Sequence, residues 1–133
     1  MRETAPSITD LEINPDAAAV LLPHLDTFVK WELLRFLHDN PGATATVGEL
    51  ARYIGRDETE VKPAARALAL AGIARQMDLG QEYAYSLAAD LEMRQLIGHL
   101  IQKLMADPLA RLALSAHILK GQRAAGRLQL ATR

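Results

Sequence analysis

The stretch TVGELARYIGRDETEVKPAARALALAG, residues 46–72, decides the fold of this 133-residue chain. It opens with a capping box, in which the Thr46 hydroxyl accepts from the Glu49 amide and the Glu49 carboxylate reaches back. The short helix that follows is expected to end at Gly55, because glycine adopts the left-handed conformation of a C-cap at little cost. Two residues later, Asp57 is expected to cap a second helix, whose apolar residues keep helical spacing. The sequence therefore predicts two short helices joined by a tight glycine turn.

The hydrophobic period changes after this helix pair. Two runs alternate between larger and smaller or polar residues: Ile73, Arg75 and Met77 in the first, and Tyr83, Tyr85 and Leu87 in the second. The turn Leu79-Gly80-Gln81 lies between them. Two alternating runs around a glycine turn predict a β-hairpin. Core packing is the expected role of the two tyrosines, and an exposed surface for stacking bases is the alternative.

Helical patterns precede this unit as well. The N-terminal extension, residues 1–27, is expected to hold a short helix that Asn14 caps and Pro15 begins. The next helix covers residues 28–39. Its Trp31 and Phe36 can bury the largest areas available, so we expect this helix at the centre of the core.

Two further helices are predicted within residues 88–120, the first capped by Asp90 and the second by Asp107. The apolar stripe of the first consists of Leu91, Ile97, Leu100, Ile101, Leu104 and Met105, and that of the second of Leu109, Leu112, Ala116 and Leu119. Leu114 and Ile118 fall on other faces of the last helix. A helix that is apolar on several faces needs more partners than one chain supplies. We therefore expect a homodimer through residues 28–39 and 90–119, followed by a basic tail, residues 121–133, that frays.

The order of these elements resembles a winged helix-turn-helix. The resemblance is carried by small and apolar residues at the helix crossing, the turn and the start of the wing: Leu50, Ala51, Ile54, Gly55, Val61, Leu68, Gly72 and Ile73. It covers residues 28–87, and the helices that follow resemble the dimerising helices of MarR-like and related bacterial regulators. The resemblance implies a mainly α fold, with a three-helix core, a β-hairpin wing and additional N- and C-terminal helices.

A transcriptional regulator that binds double-stranded DNA as a homodimer is what this resemblance implies. The helix over residues 57–71 would lie in the major groove. The positions of this helix that the resemblance implies to be exposed are Glu58, Thr59, Lys62, Pro63 and Arg66. Arg52 and Arg56 flank the turn and would hold the DNA backbone, and Arg75 opens the wing. The residues implied to contact DNA are Arg52, Arg56, Thr59, Lys62, Arg66 and Arg75. Of these, Arg66 would read a guanine edge and Lys62 would meet a phosphate.

The charge pattern departs from what DNA-binding members of this class present. The second helix carries Asp57, Glu58 and Glu60 against two bases, and the hairpin tip carries Asp78 and Glu82. Carboxylates near phosphates lower affinity, because phosphate neutralisation supplies most non-specific binding. A winged-helix module that binds a protein, without DNA, is therefore the alternative function.

The two ends of the chain differ in charge. Residues 1–27 carry one base and five acids, whereas residues 120–133 carry four bases and no acid, within a formal net charge of −1. Two solvated ends fit this pattern, and so does a basic arm that contacts phosphate or an acidic partner.

Other function classes lack their motifs. There is no cysteine, the histidines at 24, 38, 99 and 117 have no helical metal-site spacing, and no nucleotide-binding glycine loop or nucleophile elbow occurs. His99 and His117, which lie near the apolar stripes of the last two helices, are expected as interface or half-buried side chains rather than ligands. We expect a protein that is not an enzyme and has no metal or cofactor. Without a secretory signal or an apolar run that could span a bilayer, a cytoplasmic protein with no membrane contact is predicted.

Overall fold

The computed structural model describes the backbone of residues 13–131 and the side chains of residues 13–123. The predicted helix-turn-helix is present, and its two helices are followed by a hairpin. The elements in chain order are α1 (Pro15–Leu21), a 3-10 turn (Leu22–His24), α2 (Phe28–Asp39), β1 (Ala45–Thr46), α3 (Val47–Ile54), α4 (Glu58–Leu70), β2 (Ala74–Asp78), β3 (Tyr83–Leu87), α5 (Leu91–Ala106) and α6 (Pro108–Ala131). The predicted fold class, mainly α with a β-hairpin wing, is confirmed.

Local hydrogen bonds begin and end the helices mostly as predicted. The capping box of Thr46 and Glu49 is complete, and Gly55 ends α3 with a φ of +72°. Asn14 caps α1 through its side-chain oxygen, and Asp90 caps α5. Asp57 occupies the N-cap position of α4, but its side chain accepts no hydrogen bond there, so that side-chain cap is a wrong prediction. The start of α4 is favoured instead by acidic residues in its first turn, which complement the helix dipole.

The hairpin belongs to a three-stranded antiparallel sheet with the strand order β1-β3-β2. Strands β2 and β3 pair in the register that sets Gln76 opposite Tyr85. The Asp78 carboxylate accepts from the Gly80 amide at 2.7 Å and so closes the turn. Strand β1, which the sequence did not predict, sets Ala45 opposite Tyr85 on the other side. It joins the start of the helix-turn-helix to the base of the hairpin.

Aliphatic side chains, rather than the large aromatic rings, fill the centre of the core. The largest fully buried side chains are Leu21, Leu25, Leu33, Leu34, Leu37, Leu50, Leu68, Ile73, Ile97, Leu100, Leu104 and Ile118. Trp31 and Phe36 are only partly buried, yet α2 lies at the centre of the core as predicted, because its Leu33, Leu34 and Leu37 are buried. The leucines of α2 take the side that faces α4 and α5. Phe36 lies towards the edge, where its ring stacks on Tyr53 at 5.1 Å between centroids.

The two hairpin tyrosines do not share the environment that the sequence predicted. Tyr85 is 3% exposed, whereas Tyr83 is 46% exposed. Tyr83 lies two residues nearer the tip of the hairpin, in the part of β3 that extends past β1. Core packing is therefore confirmed for Tyr85 and is wrong for Tyr83.

Helix α6 packs with a different face from the predicted one, whereas α5 buries Ile97, Leu100, Ile101 and Leu104 of its predicted stripe. Helix α6 buries Ala110, Ala113, Leu114 and Ile118, while the predicted stripe leaves Leu109, Leu112 and Leu119 exposed. On α5, the predicted stripe residues Leu91 and Met105 are exposed as well. Each lies near an end of α5, where packing against neighbouring elements runs out.

The backbone of α6 continues through Gly121 to Ala131, within the segment for which fraying is predicted. A single glycine inside a helix costs only about 1 kcal/mol relative to alanine. Gln122, Arg123 and the alanines that follow are good helix formers, and they carry the helix past that position.

Candidate nucleic-acid interface

Helix α4 is seated on the rest of the domain by a continuous apolar side. Val61, Ala64, Ala65 and Leu68 are buried, and they face α2 and α3. The small alanines allow close helix crossing, while the branched side chains fill the space between the helices. The opposite side of α4 is thereby fixed towards solvent.

The outward side of α4 mixes polar and apolar residues at helical spacing. It consists of Thr59, Pro63, Arg66 and Leu70, with Lys62 at its edge, and all five are exposed. Leu70 is 81% exposed, which is unusual for a large aliphatic side chain. Pro63 occurs inside the helix, as the sequence indicates. This surface can offer hydrogen-bond donors as well as apolar contacts.

Two of the predicted contact residues, Lys62 and Arg66, are exposed on this side. Among the described residues, neither forms an ion pair or a side-chain hydrogen bond. Burial raises the pKa of Tyr85, and the positive charge of Arg66 opposes that shift. Arg66 therefore lies near the base of the hairpin, with its guanidinium available to a partner.

Arg56, which flanks the α3–α4 turn, forms an ion pair with α2. Its guanidinium donates to both carboxylate oxygens of Glu32, from Nε at 3.0 Å and from Nη2 at 2.7 Å. Glu60 Oε2 lies 4.0 Å from Nη1 of the same guanidinium. The hydrogen bond with Glu32 raises the pKa of Arg56, so the guanidinium stays charged. The ion pair ties the α3–α4 turn to α2.

The remaining predicted contact residues lie around α4 without a common pocket. Arg52 is exposed near the end of α3, and Thr59 is exposed in the first turn of α4. Arg75 is exposed on β2, opposite Ser86 of β3. The structure thus groups Lys62 and Arg66 on α4, with Arg52 and Arg75 on neighbouring elements.

A groove of about 340 Å³ separates α4 from the tip of the hairpin. Its lining residues are Val47, Gly48, Glu58, Lys62, Gln81, Glu82, Tyr83 and Tyr85. The sequence marked both glutamates as unusual for a DNA-facing surface, but their shared groove was missed. A glycine within the first turn of a helix was the available signal, because a side chain at Gly48 would meet the Glu58 carboxylate.

Two of the histidines, His99 and His117, contact the N-terminal segment. His117 Nε2 lies 3.0 Å from the Leu22 carbonyl oxygen, and His99 Nδ1 lies 3.3 Å from Asn14 Nδ2. Within the part of the chain that the structure describes, no three metal-ligating side chains come together. No helix in that part is long and apolar enough to cross a membrane.

Two helices joined by a glycine turn, with the second helix packed on the first and followed by an antiparallel hairpin, define the winged-helix class of domains. Solved structures show the same fold. HlyU from Vibrio cholerae is 23% identical, and the match covers 73% of this chain and 100% of that chain with a TM-score of 0.54. Reduced HlyU from the same organism is 22% identical, with 65% and 87% covered and a TM-score of 0.52.

A third solved structure with this fold comes from Mycobacterium bovis. It is the homodimeric winged helix-turn-helix DNA-binding domain of Mb0332, a possible ArsR-family regulator. It is 20% identical, with 72% of this chain and 84% of that chain covered and a TM-score of 0.54. No family model matches the chain, and no curated protein does either. These similarities establish the winged-helix fold, and they do not single out the MarR-like regulators that the sequence resembles.

Proposed function

We propose that this protein is a transcriptional regulator that binds double-stranded DNA as a homodimer, with α4 in the major groove. The observation that supports this most directly is the outward side of α4. It presents Arg66 and Lys62, which form no ion pair in the described part of the chain. A helix that is held rigidly on one side and carries free cations on the other suits the major groove.

Each predicted contact residue has a role in this proposal. Arg66 would donate to a guanine edge in a bidentate manner, and Lys62 would neutralise a phosphate. Thr59, Arg52 and Arg75 would contact the sugar-phosphate backbone, which positions the helix without reading sequence. Arg56 would act as a positioning residue through Glu32, because its ion pair already occupies Nε and Nη2.

Helix α6 is the proposed dimer surface. Its exposed Leu112 and Leu119 lie two turns apart on one side, and the small Ser115 and Ala116 lie between them. An antiparallel crossing of two copies would set Leu112 against the partner's Leu119, while the small residues allow close approach. Helix α2 is mostly covered by its own chain, so residues 28–39 contribute less to the proposed interface than the sequence suggested.

A two-fold dimer determines the form of the DNA target. Two α4 helices related by a two-fold axis would read half-sites about one helical turn apart. The target is then a near-palindrome, and each protomer contributes only a few phosphate contacts. We expect a slope of log affinity against log salt of about −3 to −6.

A protein-binding module is the second candidate. The exposed Leu70 and Pro63 favour it, because an apolar contact surface is typical of a protein partner. So does the surplus of acids on the α3–α4–hairpin side of the molecule. In this case α4 would bind a protein and duplex DNA would not be retained.

Fluorescence anisotropy of the full chain against a genomic fragment library at low salt tests the two candidates. Fragments that are enriched should lose about 5-fold or more in affinity with Arg66→Ala, since a bidentate base contact contributes about 1–3 kcal/mol. Lys62→Ala should weaken all sequences and reduce the salt slope by about 1. Arg35→Ala, an exposed arginine on α2, is the matched control and should change neither. Retention of no fragment by the parent would refute DNA binding.

A further inference from the structure

Three of the carboxylates on the α3–α4–hairpin side of the molecule have a structural task. Glu49 completes the capping box, Asp78 closes the hairpin turn, and Glu60 lies 4.0 Å from the guanidinium of the α3–α4 turn. Glu58 and Glu82 differ, because neither side chain forms an ion pair or a hydrogen bond with any residue that the structure describes. The helix dipole favours an acid at Glu58 but leaves its carboxylate without a partner, so both side chains remain available to a bound molecule.

Glu58 occupies a special place on α4. It is the first residue of the helix, and its carboxylate lies over the first turn of α3, where a Cβ on Gly48 would be only 2.8 Å from Oε1. That contact is with a residue that has no side chain, so nothing holds the carboxylate in place. It can swing outward from the groove without breaking a hydrogen bond.

The N-terminal residues of a recognition helix are those that contact base edges in the major groove. A carboxylate at that position accepts a hydrogen bond from the amino group of cytosine. It has no proton to donate to the acceptor atoms of guanine or thymine, or to N7 of adenine, which lies beside the amino group of that base, and it repels phosphates. An acidic residue is therefore useful there only when it meets a base that donates.

We propose that Glu58 is a specificity-determining residue that selects cytosine through its exocyclic amino group. Glu82 lies on the opposite wall of this protein groove. It lowers affinity for all DNA by repelling the sugar-phosphate backbone that separates the major groove from the minor groove. This inference rests on the proposed function, because it needs α4 to lie in the major groove. It accounts for acids on a surface that contacts a polyanion.

The two glutamates make different predictions for substitution by glutamine, which removes the charge and keeps the shape. Glu58→Gln should lower affinity for the best fragment by about 5-fold, because the neutral amide oxygen accepts from the cytosine amino group more weakly than the carboxylate does. It should raise affinity for random duplex by about 2- to 5-fold, because a repulsive charge is removed. Glu82→Gln should raise affinity for both by a similar factor.

Glu92→Gln is the matched control, because Glu92 is a glutamate in the first turn of α5, away from this groove. It should leave both affinities unchanged. The assay is anisotropy with the best fragment, the same fragment with each cytosine of a half-site replaced in turn by thymine, and a random duplex. One replacement should cost the parent about 5- to 20-fold and cost Glu58→Gln less.

The outcomes separate this inference from the proposed function. If the parent binds fragments but Glu58→Gln raises affinity for every duplex equally, Glu58 only repels backbone and the selection of cytosine is refuted. Unchanged binding in Glu58→Gln would refute it too. If neither the parent nor any variant retains duplex at the lowest salt, the proposed function itself fails, and the inference fails with it.

Discussion

The ion pair between Arg56 and Glu32 permits a sharp test of how the helix-turn-helix is held. The two residues are 24 positions apart in sequence, and their bidentate contact joins the α3–α4 turn to α2. Their side chains are 31% and 32% exposed, so the pair is about two-thirds covered by protein. We expect Arg56→Ala to loosen the turn without unfolding the domain.

The magnitude follows from this partial burial. Exposed ion pairs contribute about 0.2–1 kcal/mol, and hydrogen bonds to charged groups contribute about 1.5–3 kcal/mol. A two-thirds covered bidentate pair lies between these ranges, so Arg56→Ala should lower the free energy of unfolding by about 1–2 kcal/mol. A small domain has about 5–15 kcal/mol in total, so the variant remains folded.

Urea unfolding, followed by the fluorescence of Trp31 at one fixed protein concentration, measures this change. A double-mutant cycle with Glu32→Ala should give a coupling of about 1 kcal/mol, and Arg35→Ala, whose contact with Asp39 is long at 3.9 Å, should change little. A coupling near zero would refute the structural role. Weaker DNA binding by Arg56→Ala at unchanged stability would instead make Arg56 a direct DNA contact.

Three further expectations concern the dimer helix and the start of α3. Leu112→Glu should give a folded monomer in sedimentation velocity, because it places a charge in the proposed interface. Leu91→Glu changes another exposed leucine and should leave the dimer intact. A dimeric Leu112→Glu would place the interface elsewhere. Gly48→Ala should raise the free energy of unfolding by about 0.5–1 kcal/mol in urea titrations, because alanine favours a helix more than glycine does. The Glu58 carboxylate over Gly48 is the end of a flexible side chain and can move aside. Destabilisation would show that this carboxylate is fixed. Hydrogen bonds with the N-cap residue lower the pKa of Glu49 in the folded state, so their stabilisation is present above the unfolded pKa and is lost as the pH falls through the folded one. Glu49→Gln should flatten this acid limb of stability against pH, and an unchanged limb would contradict that origin.

The helix-turn-helix could be predicted because its determinants are local. Thr46 and Glu49 are three residues apart, and Gly55 needs only its own left-handed backbone. Such signals do not depend on the rest of the fold, so they survive in the sequence. Strand β1 is the opposite case. It has two residues and exists only because β3 lies beside it, so no period in the sequence reveals it.

The core was harder to predict, because size and hydrophobicity do not determine depth. Trp31 and the leucines of α2 have similar helical spacing, yet only the leucines are fully buried. Which side of a helix is innermost depends on the elements packed around it. The same holds for α6, where Ala113 and Leu114 face inward and Leu112 does not.

In the candidate site, too, some features could be predicted from helical spacing and others depend on how the elements pack. Exposure of Lys62 and Arg66 follows from helical spacing opposite the buried side of α4, and the sequence predicted it. The ion pair of Arg56 depends on where α2 passes the turn, which no spacing reveals. The groove that joins Glu58 and Glu82 likewise exists only once the hairpin folds beside α4.

If α4 contacts DNA as proposed, dimerisation should be a requirement for binding. The outward side of α4 offers Lys62 and Arg66 as its cations, and carboxylates in the groove oppose them. A single protomer should therefore bind weakly, whereas two linked protomers bind the second half-site at a high effective concentration. We expect Leu112→Glu to reduce DNA affinity more than Arg66→Ala does, although Leu112 lies on α6 and not on the DNA-facing surface. Equal DNA affinity of a monomeric Leu112→Glu and the parent would show that one α4 suffices, and the near-palindromic target would then be wrong.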